Sequence, residues 1–222
     1  MFSLQHMGLV LAALFLLCTG VGSATAAVPG SGVLDFAIVR NGQEIGSQTY
    51  RFRQAQDSVE VNVSTRIKFK LGFLTVHRLN HNSQEIWKED RLVAFSSSTS
   101  EKNILKGRAK YAVAVQEDGE NLSVEADREG WRAPANAAPA SFWNSQLVST
   151  DTLIDTVDGG KLAVTIEALG NDNISVNGST LDARHYRVSG DMERELWYDL
   201  NNVLVQVRFT AEDGSEVRFV PR

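Results

Sequence analysis

Hydrophobic and polar residues alternate along most of the chain, which is the pattern of β-strands that are buried on one face and solvated on the other. The clearest run is Val59 to Leu71, where apolar residues or Thr hold every odd position and polar or charged residues hold the even ones. A strand this long is typical of a curved or coiled sheet. Three more runs, His185 to Asp199, Val203 to Phe209 and Val217 to Val220, predict three consecutive strands at the C-terminal end.

Turn-forming dipeptides separate the alternating runs. Asn41-Gly42 lies between two such runs and favours a type I′ hairpin. No stretch carries a persuasive helical stripe, so parallel βαβ units are not expected. Further turns are predicted at Glu89-Asp90, Asp118-Gly119, near Asn171, and at Asn177-Gly178, Asn201-Asn202 and Asp213-Gly214.

The alternation breaks at Trp131 to Asn144, which is rich in alanine and contains two prolines, so it cannot pair as a central strand. Ser141 is expected to cap a helical turn beginning at Phe142. The chain is therefore predicted to be mainly β: an antiparallel meander forming a strongly curved sheet or incomplete barrel, with a short crossing segment around residues 131–148. A closed sandwich is the competing architecture. Gly46, Gly72 and Gly190 are expected at bulges or bends.

The N-terminal end has the pattern of a secretory signal. Residues 1–26 contain no charged side chain except the ambiguous His6, and an apolar run, Leu9 to Leu17, precedes Ala24-Thr25-Ala26. We expect a signal peptide over 1–26 cleaved after Ala26, a linker over 27–32 and a single β-rich domain over 33–222. The protein would then be exported to the periplasm, with no transmembrane segment in the mature chain.

Composition narrows the function classes. The cysteine at position 18 is the only one, so a chain beginning after Ala26 would hold no disulfide and no thiolate metal site. Lipidation of Cys18 is disfavoured, because Leu17 precedes it where a small residue is normally required. The net charge is −5 and the Lys and Arg residues are scattered along the sequence, so no nucleic-acid partner is expected.

Few residues suggest chemistry. His77, His81 and Glu85 share one face of a strand, but four residues span about 13 Å along a strand, which argues against a shared metal. Asp151, Asp155 and Asp158 fit no calcium-loop pattern. The chain has no Gly-x-Ser-x-Gly elbow, phosphate-binding glycine loop or His-Glu-x-x-His sequence. We therefore expect no metal, no cofactor and no catalytic residue.

Aromatic residues are more suggestive. Trp197 and Tyr198 are neighbours in one strand and must point to opposite faces of the sheet. Trp143 either plugs the open side of the curved sheet or belongs to a lid over an apolar groove.

Five short motifs resemble, in the same order, a family of exported bacterial proteins known only as a domain of unknown function, number 6134. The resemblance runs from about Val33 to Val220 and implies export and a β-rich domain, but it transfers no activity. The family is also similar in architecture to lipoprotein-carrier-like envelope proteins. His77 stands where the family pattern has an aromatic residue. The motifs are Phe36 to Gly46, His81-x-x-x-Glu85-x-Trp87, Leu92-Val93 before Ser98-Thr99, Ser141 to Asn144, and Leu196 to Asp199.

The leading hypothesis is a non-catalytic protein whose curved sheet binds an apolar or amphipathic ligand, such as a lipid, or an envelope protein. One alternative is a hydrolase that uses His81 and Glu85 with a hydroxyl or water. Another is a scaffold that captures a partner by strand addition at an open sheet edge. The candidate ligand-binding residues are His81, Glu85, Trp87, Phe142, Trp143, Asn144, Trp197 and Asp199.

Overall fold

A computed structural model describes residues 27–127, 129–176 and 178–222. The expected signal peptide over 1–26 and Asn177 of the expected Asn177-Gly178 turn lie outside the described residues. Fifteen strands and one short 3₁₀-helix, Ser145–Ser149, follow one another in the described part of the chain. The first eight strands are β1 (Val33–Arg40), β2 (Gln43–Gln54), β3 (Val59–Leu71), β4 (Leu74–Lys88), β5 (Arg91–Asn103), β6 (Gly107–Asp118), β7 (Asn121–Ala126) and β8 (Trp131–Pro134). The others are β9 (Ala138–Pro139), β10 (Thr152–Ile154), β11 (Lys161–Val176), β12 (Ser179–Gly190), β13 (Arg194–Asp199), β14 (Leu204–Thr210) and β15 (Glu216–Pro221).

All fifteen strands belong to one sheet, and most are hydrogen-bonded to their neighbours in sequence. The join between the two halves is β1, which pairs antiparallel with β15, for example at Ile38 and Phe219. The edges are β8 and β9, so the described sheet is an incomplete barrel rather than a closed one. This confirms the predicted antiparallel curved sheet and excludes the closed sandwich. One pair, β9 with β10, is parallel and very short.

Local turn chemistry explains most hairpins. Asn41 and Gly42 have φ values of 46° and 81°, and Glu89 and Asp90 have 45° and 64°, as a type I′ turn requires at both central positions.

Two expectations about turns and bends were wrong. Gly72, at φ 59°, forms the turn between β3 and β4 rather than a bend within a strand.

The turn expected near Asn171 is absent from the described β11, which continues through this position. Its register against β12 shifts between Ala168 and Gly170, and Gly170 has a φ of 105°. A bulge at Gly170 therefore forms where the polar residues around Asn171 had predicted a turn.

Beyond the edge strand β8, the crossing segment lies against the concave face of the sheet and fills one half of it. Ala137, Ala138, Phe142, Trp143 and Leu147 are all buried in the main core cluster, together with inward-facing residues of the long strands. Asn144, rather than the expected Ser141, caps the 3₁₀-helix, because its side-chain oxygen accepts from the backbone N–H of Gln146 at 3.0 Å.

Gly46 is required where β2 passes β3. It pairs with Ile67 on β3, and a Cβ at position 46 would lie 2.1 Å from the carbonyl oxygen of Arg66. We expect Gly46→Ala to lower the free energy of unfolding by about 2 kcal/mol, since the backbones must separate. Thermal denaturation would measure this loss. Gly30→Ala is the matched control, because a Cβ there has nothing within 4 Å. Equal melting temperatures for the two variants would contradict the close approach.

Candidate functional site

Two buried tyrosines hold the crossing segment inside the sheet. The hydroxyl of Tyr50, on β2, donates to the carbonyl oxygen of Ser141, and that of Tyr198, on β13, donates to the carbonyl oxygen of Phe142, both at 2.6 Å. Burial raises the pKa of each tyrosine hydroxyl, so both remain protonated donors. Phe142 has a φ of 65°, a conformation that L-residues adopt only when their surroundings enforce it.

A buried carboxyl group makes the third attachment. Glu85, on β4, is 0% exposed, and its Oε2 accepts hydrogen bonds from the indole N–H groups of Trp87 and Trp143, each at 2.8 Å. The two indoles also pack edge to face, with ring centres 5.8 Å apart. Glu85 therefore joins its own strand to a segment that follows it by 58 residues.

Burial raises the pKa of Glu85, although hydrogen bonding to Trp143, Ser141 and Trp87 acts in the opposite direction. Within the described part of the chain, Oε1 makes no hydrogen bond of ordinary geometry. The Ser141 hydroxyl is thus a neighbour that favours the charged form without being a well-aligned donor. The net shift of the pKa is upward, so the neutral form of Glu85 persists to a higher pH than that of an exposed glutamic acid.

The other half of the concave face is open and contains a cavity of about 230 Å³. Ala140, Ser141 and Phe142 contribute to its lining, so the crossing segment forms part of its wall. Apolar side chains from opposite halves of the sheet line it: Val63, Ile67, Leu79, Val207, Phe209 and Phe219. Polar groups also reach it: Gln48, Thr65, His81, Ser83, Asp155 and Arg194.

His81 is a neutral imidazole in this cavity. It is 5% exposed, and its Nδ1 lies 2.8 Å from the hydroxyl oxygen of Thr99 on β5. Burial lowers the pKa of His81 to about 4, so the ring carries no charge near neutral pH. The ring therefore offers a hydrogen-bonding group to the cavity without the desolvation cost of a buried cation.

A chain of hydrogen bonds links the cavity wall to the crossing segment. The Thr65 hydroxyl donates to Gln48 Oε1 at 3.0 Å, and Gln48 Nε2 donates to the Tyr50 hydroxyl oxygen. Tyr50 in turn donates to Ser141. The polar residues at inward positions of β2 and β3 are thus satisfied by one another, which is the condition for burying them.

The loop 155–160 closes one side of the cavity. The Ser97 hydroxyl donates to the carbonyl oxygen of Thr156 at 2.6 Å, and Asp155 Oδ1 accepts from the backbone N–H of Val157 at 2.7 Å. Burial raises the pKa of the Asp155 carboxyl and lowers the pKa of Arg194, while the attraction between the two opposes both shifts. No group of three or more potential metal ligands occurs among the described residues.

The eight candidate ligand-binding residues lie in three separate places. His81 and Phe142 line the cavity. Glu85, Trp87, Trp143 and Asn144 hold the crossing segment in place by the hydrogen bonds described above.

Trp197 and Asp199 lie away from the cavity. Trp197 packs with Ile174 and Val205 in a separate cluster on the outer face of the sheet, and its indole N–H donates to Asp172 Oδ2 at 3.0 Å. Asp199 Oδ1 accepts from two backbone N–H groups of the following turn, both at 2.8 Å. These roles account for both motif residues structurally.

The structure does not bring His81 and Glu85 together. His81 bonds to Thr99 and lines the cavity, whereas Glu85 bonds to the two indoles and is not part of the lining. Cavity residues that were not singled out from the sequence include Gln48 and Leu79. Alternation along the strands could have identified them, because residues two apart point to the same face: Gln48 shares the inward face with the buried Tyr50, and Leu79 shares it with His81.

A larger groove of about 410 Å³ lies among outward-facing charged residues of β12 to β15. Its side chains already pair, as Arg208 Nε donates to Glu195 Oε2 at 2.6 Å. Among the described residues, Val188 and Phe209 are its only apolar lining residues, whereas the cavity has many more, so we take the cavity as the candidate site.

A protein family described as "Domain of unknown function (DUF6134)" matches residues 36–222. The chain belongs to this family. No curated protein matches it. Among solved structures, it is similar to the crystal structure of a beta-barrel-like protein of domain of unknown function DUF1849 from Brucella abortus, with a TM-score of 0.60 and 9% identity over 86% of this chain and 94% of that one. At this identity the likeness shows a shared fold. No described helix is long and apolar enough to cross a bilayer.

Replacing Glu85 by Gln tests its protonation. The native pKa is raised above the ordinary value of 4.5, so above pH 4.5 the native state binds more protons than the unfolded state. The stability of the wild type should therefore fall as pH rises from 4.5 through the native pKa. Gln keeps an oxygen acceptor and does not ionise, so the stability of Glu85→Gln relative to the wild type should increase with pH across this window.

Urea denaturation from about pH 4 to pH 8 measures the difference in free energy of unfolding. Glu125→Gln, at an exposed position on β7, is the matched control and should show no such trend. A pH-independent difference between Glu85→Gln and the wild type would contradict the raised pKa.

Proposed function

We propose that this protein binds an apolar or amphipathic small molecule of lipid type in the cavity of its curved sheet and carries out no reaction there. The observation that carries the proposal is the cavity itself, whose wall combines large apolar side chains, such as Ile67, Leu79 and Phe209, with polar ones. Ligand sites in proteins typically have this composition, because apolar surface provides affinity and a few polar groups fix orientation.

The volume limits what the cavity can hold. At about 230 Å³ it lies below the range of about 300–1,000 Å³ that is usual for drug-sized ligands. It therefore suits a small molecule, or one segment of an acyl chain whose remainder extends out of the mouth. The neutral His81 favours an uncharged or hydrocarbon group at its own depth in the cavity.

Arg194 and Asp155 supply the polar part of the proposed site. The Arg194 guanidinium lies 4.0 Å from the ring centre of Phe209, so charged and apolar surfaces adjoin in the lining. A ligand with a polar head and an apolar tail matches this arrangement. We propose a periplasmic setting on the basis of the signal-peptide pattern in residues 1–26.

Both alternatives from the sequence have weaker support. The hydrolase hypothesis needs His81 and Glu85 to act together, and their side chains have separate partners. Strand addition needs an accessible sheet edge, and the terminal strands are short: β8 has four residues and ends in Pro134, and β9 has two and ends in Pro139. Short edges that contain proline are poor templates for pairing. Beyond Ala163, β11 has no described strand on its outer side, so strand addition would have to occur at a stretch such as this one.

Filling the cavity tests the proposal. Leu79 lies on β4 and lines the cavity, so Leu79→Trp should occupy part of its volume. We expect the wild type to bind the neutral apolar dye N-phenyl-1-naphthylamine with increased fluorescence, and Leu79→Trp to bind it at least about tenfold more weakly, equivalent to about 1.4 kcal/mol.

Leu169→Trp is the matched control, because Leu169 is 36% exposed on β11 and lies outside the cavity lining. It should bind the dye as the wild type does. Failure of the wild type to bind the dye, or equal affinity in wild type and Leu79→Trp, would contradict the proposal.

A further inference from the structure

Two neighbouring hairpin tips expose large apolar residues to solvent. Phe73, between β3 and β4, is 100% exposed, and Leu105, between β5 and β6, is 90% exposed. The tips adjoin, because the backbone N–H of Ile104 donates to the carbonyl oxygen of Val76 at 2.9 Å. Leu71 and Leu74 complete the patch, which holds five of the eight large exposed hydrophobic residues found among the described residues. We call these five residues the apolar tips: Leu71, Phe73, Leu74, Ile104 and Leu105.

A row of cations crosses the outer face of the sheet next to the apolar tips. Lys68 on β3 is the register partner of Arg78 on β4, Arg78 is the partner of Lys102 on β5, and Lys102 is the partner of Arg108 on β6. Like charges directly opposite one another on neighbouring strands are unfavourable for folding. Four in a row are therefore unexpected unless something else neutralises them.

Further basic residues extend this row. Together with the four cations of the row they make eight, and all eight are exposed, although the chain as a whole carries a net charge of −5. The only acidic residue within 66–81 and 99–111 is Glu101, which points away from the row and bonds to His77 at 3.0 Å. The other four members of what we call the basic belt are Arg66, Lys70, Lys106 and Lys110.

The basic belt is almost uncompensated within the protein. Lys106 lies 3.6 Å from Glu212, and both of these side chains are well exposed. For the other seven, no ion pair is formed with any described residue. The field of this end of the sheet is therefore positive and open to solvent.

We propose that this end of the barrel docks on an anionic lipid bilayer. The apolar tips enter the boundary between headgroups and acyl chains, and the basic belt contacts the anionic headgroups. The spacing fits, because Lys68 is three residues, or about 10 Å, from Leu71 along the strand, and apolar groups of interfacial proteins enter about 5–10 Å into this boundary. An anionic bilayer accounts for both the exposed apolar tips and the uncompensated basic belt, whereas an acidic protein surface would account only for the basic belt.

The geometry also relates the bilayer to the cavity. Ile67 and Leu79 line the cavity on the same β3–β4 hairpin, about 13 Å and 17 Å along their strands from Leu71 and Leu74. Docking would thus place the cavity near the lipid surface. The inference does not rest on the proposed ligand, because bilayer binding requires no occupant in the cavity.

Vesicle sedimentation tests the docking surface. We expect the purified protein to bind vesicles of phosphatidylcholine mixed with phosphatidylglycerol at least about tenfold more strongly than vesicles of phosphatidylcholine alone, with the difference shrinking as salt rises. The double variant Phe73→Ser/Leu105→Ser and the double variant Lys68→Gln/Lys102→Gln should each lose most of this binding.

The controls use exposed apolar and basic residues elsewhere. Leu200→Ser removes a residue that is 64% exposed in the β13–β14 turn, and Arg51→Gln/Lys161→Gln removes two exposed cations outside the belt. Both controls should bind as the wild type does, and all variants should keep the wild-type melting temperature. In Phe73→Trp, tryptophan emission should shift to shorter wavelength on anionic vesicles only, since the tip then leaves water.

Three results would overturn the proposal. One is equal binding of the wild type to both kinds of vesicle, or binding to neither. A second is unchanged binding in both double variants. The third is a loss of binding in the lysine variant with full binding in the tip variant and no shift in Phe73→Trp, which would indicate charge attraction without insertion. Because the dye assay of the cavity uses no vesicles, failure here would be distinguishable from failure of the proposed ligand site.

Discussion

Burying a carboxyl group inside the sheet imposes the constraint on which the rest of the interior depends. A buried polar group needs hydrogen-bond partners, and Glu85 obtains two of them from the indoles of Trp87 and Trp143. Trp143 comes from the crossing segment, so satisfying Glu85 brings that segment into the concave face. The hydroxyls of Tyr50 and Tyr198 then fix its backbone. Satisfaction of polar groups, as well as apolar burial, decides which half of the interior is filled.

The polarity of the unfilled half is set by inward-facing residues of the same strands. Along β3 and β4, inward positions change from the apolar Val61 and Trp87 in the filled half to Thr65 and His81 beside the cavity. Beyond the cavity the strands end in the apolar tips. A filled half, a cavity and an exposed apolar end thus follow one another along one hairpin, and the proposed ligand and bilayer sites are consecutive parts of it.

Period-two alternation and turn chemistry predict much of this fold. The run from Val59 to Leu71 becomes β3, and Asn41-Gly42 becomes a type I′ turn. Both follow from local properties of the backbone and side chains. Gly72 and Asn171 were misread because a polar or glycine-containing stretch looks alike in sequence whether it forms a turn, a bend or a bulge.

The candidate site was harder to predict because it depends on contacts between distant residues. His81 and Glu85 share a strand face, but their partners come from β5 and from the crossing segment. Alternation requires Trp197 and Tyr198 to point to opposite faces but does not tell which faces the core. The lysines and arginines of the basic belt look scattered in the sequence, and only the pairing register of β3 to β6 shows that they lie side by side across four strands. The missing information was which residues of neighbouring strands lie opposite one another, since the alternation within one strand fixes its faces but does not name its partners.

We infer that the crossing segment is a fixed part of the interior rather than a lid that opens. Hydrogen exchange of the Trp143 indole N–H, followed by NMR and assigned with Trp143→Phe, tests it most directly. We expect this proton to exchange only through global unfolding, so its free energy of exchange should equal the free energy of unfolding measured by denaturation. Exchange at a much lower free energy, while the backbone amides of β3 and β4 stay protected, would show instead that the segment opens locally as a lid.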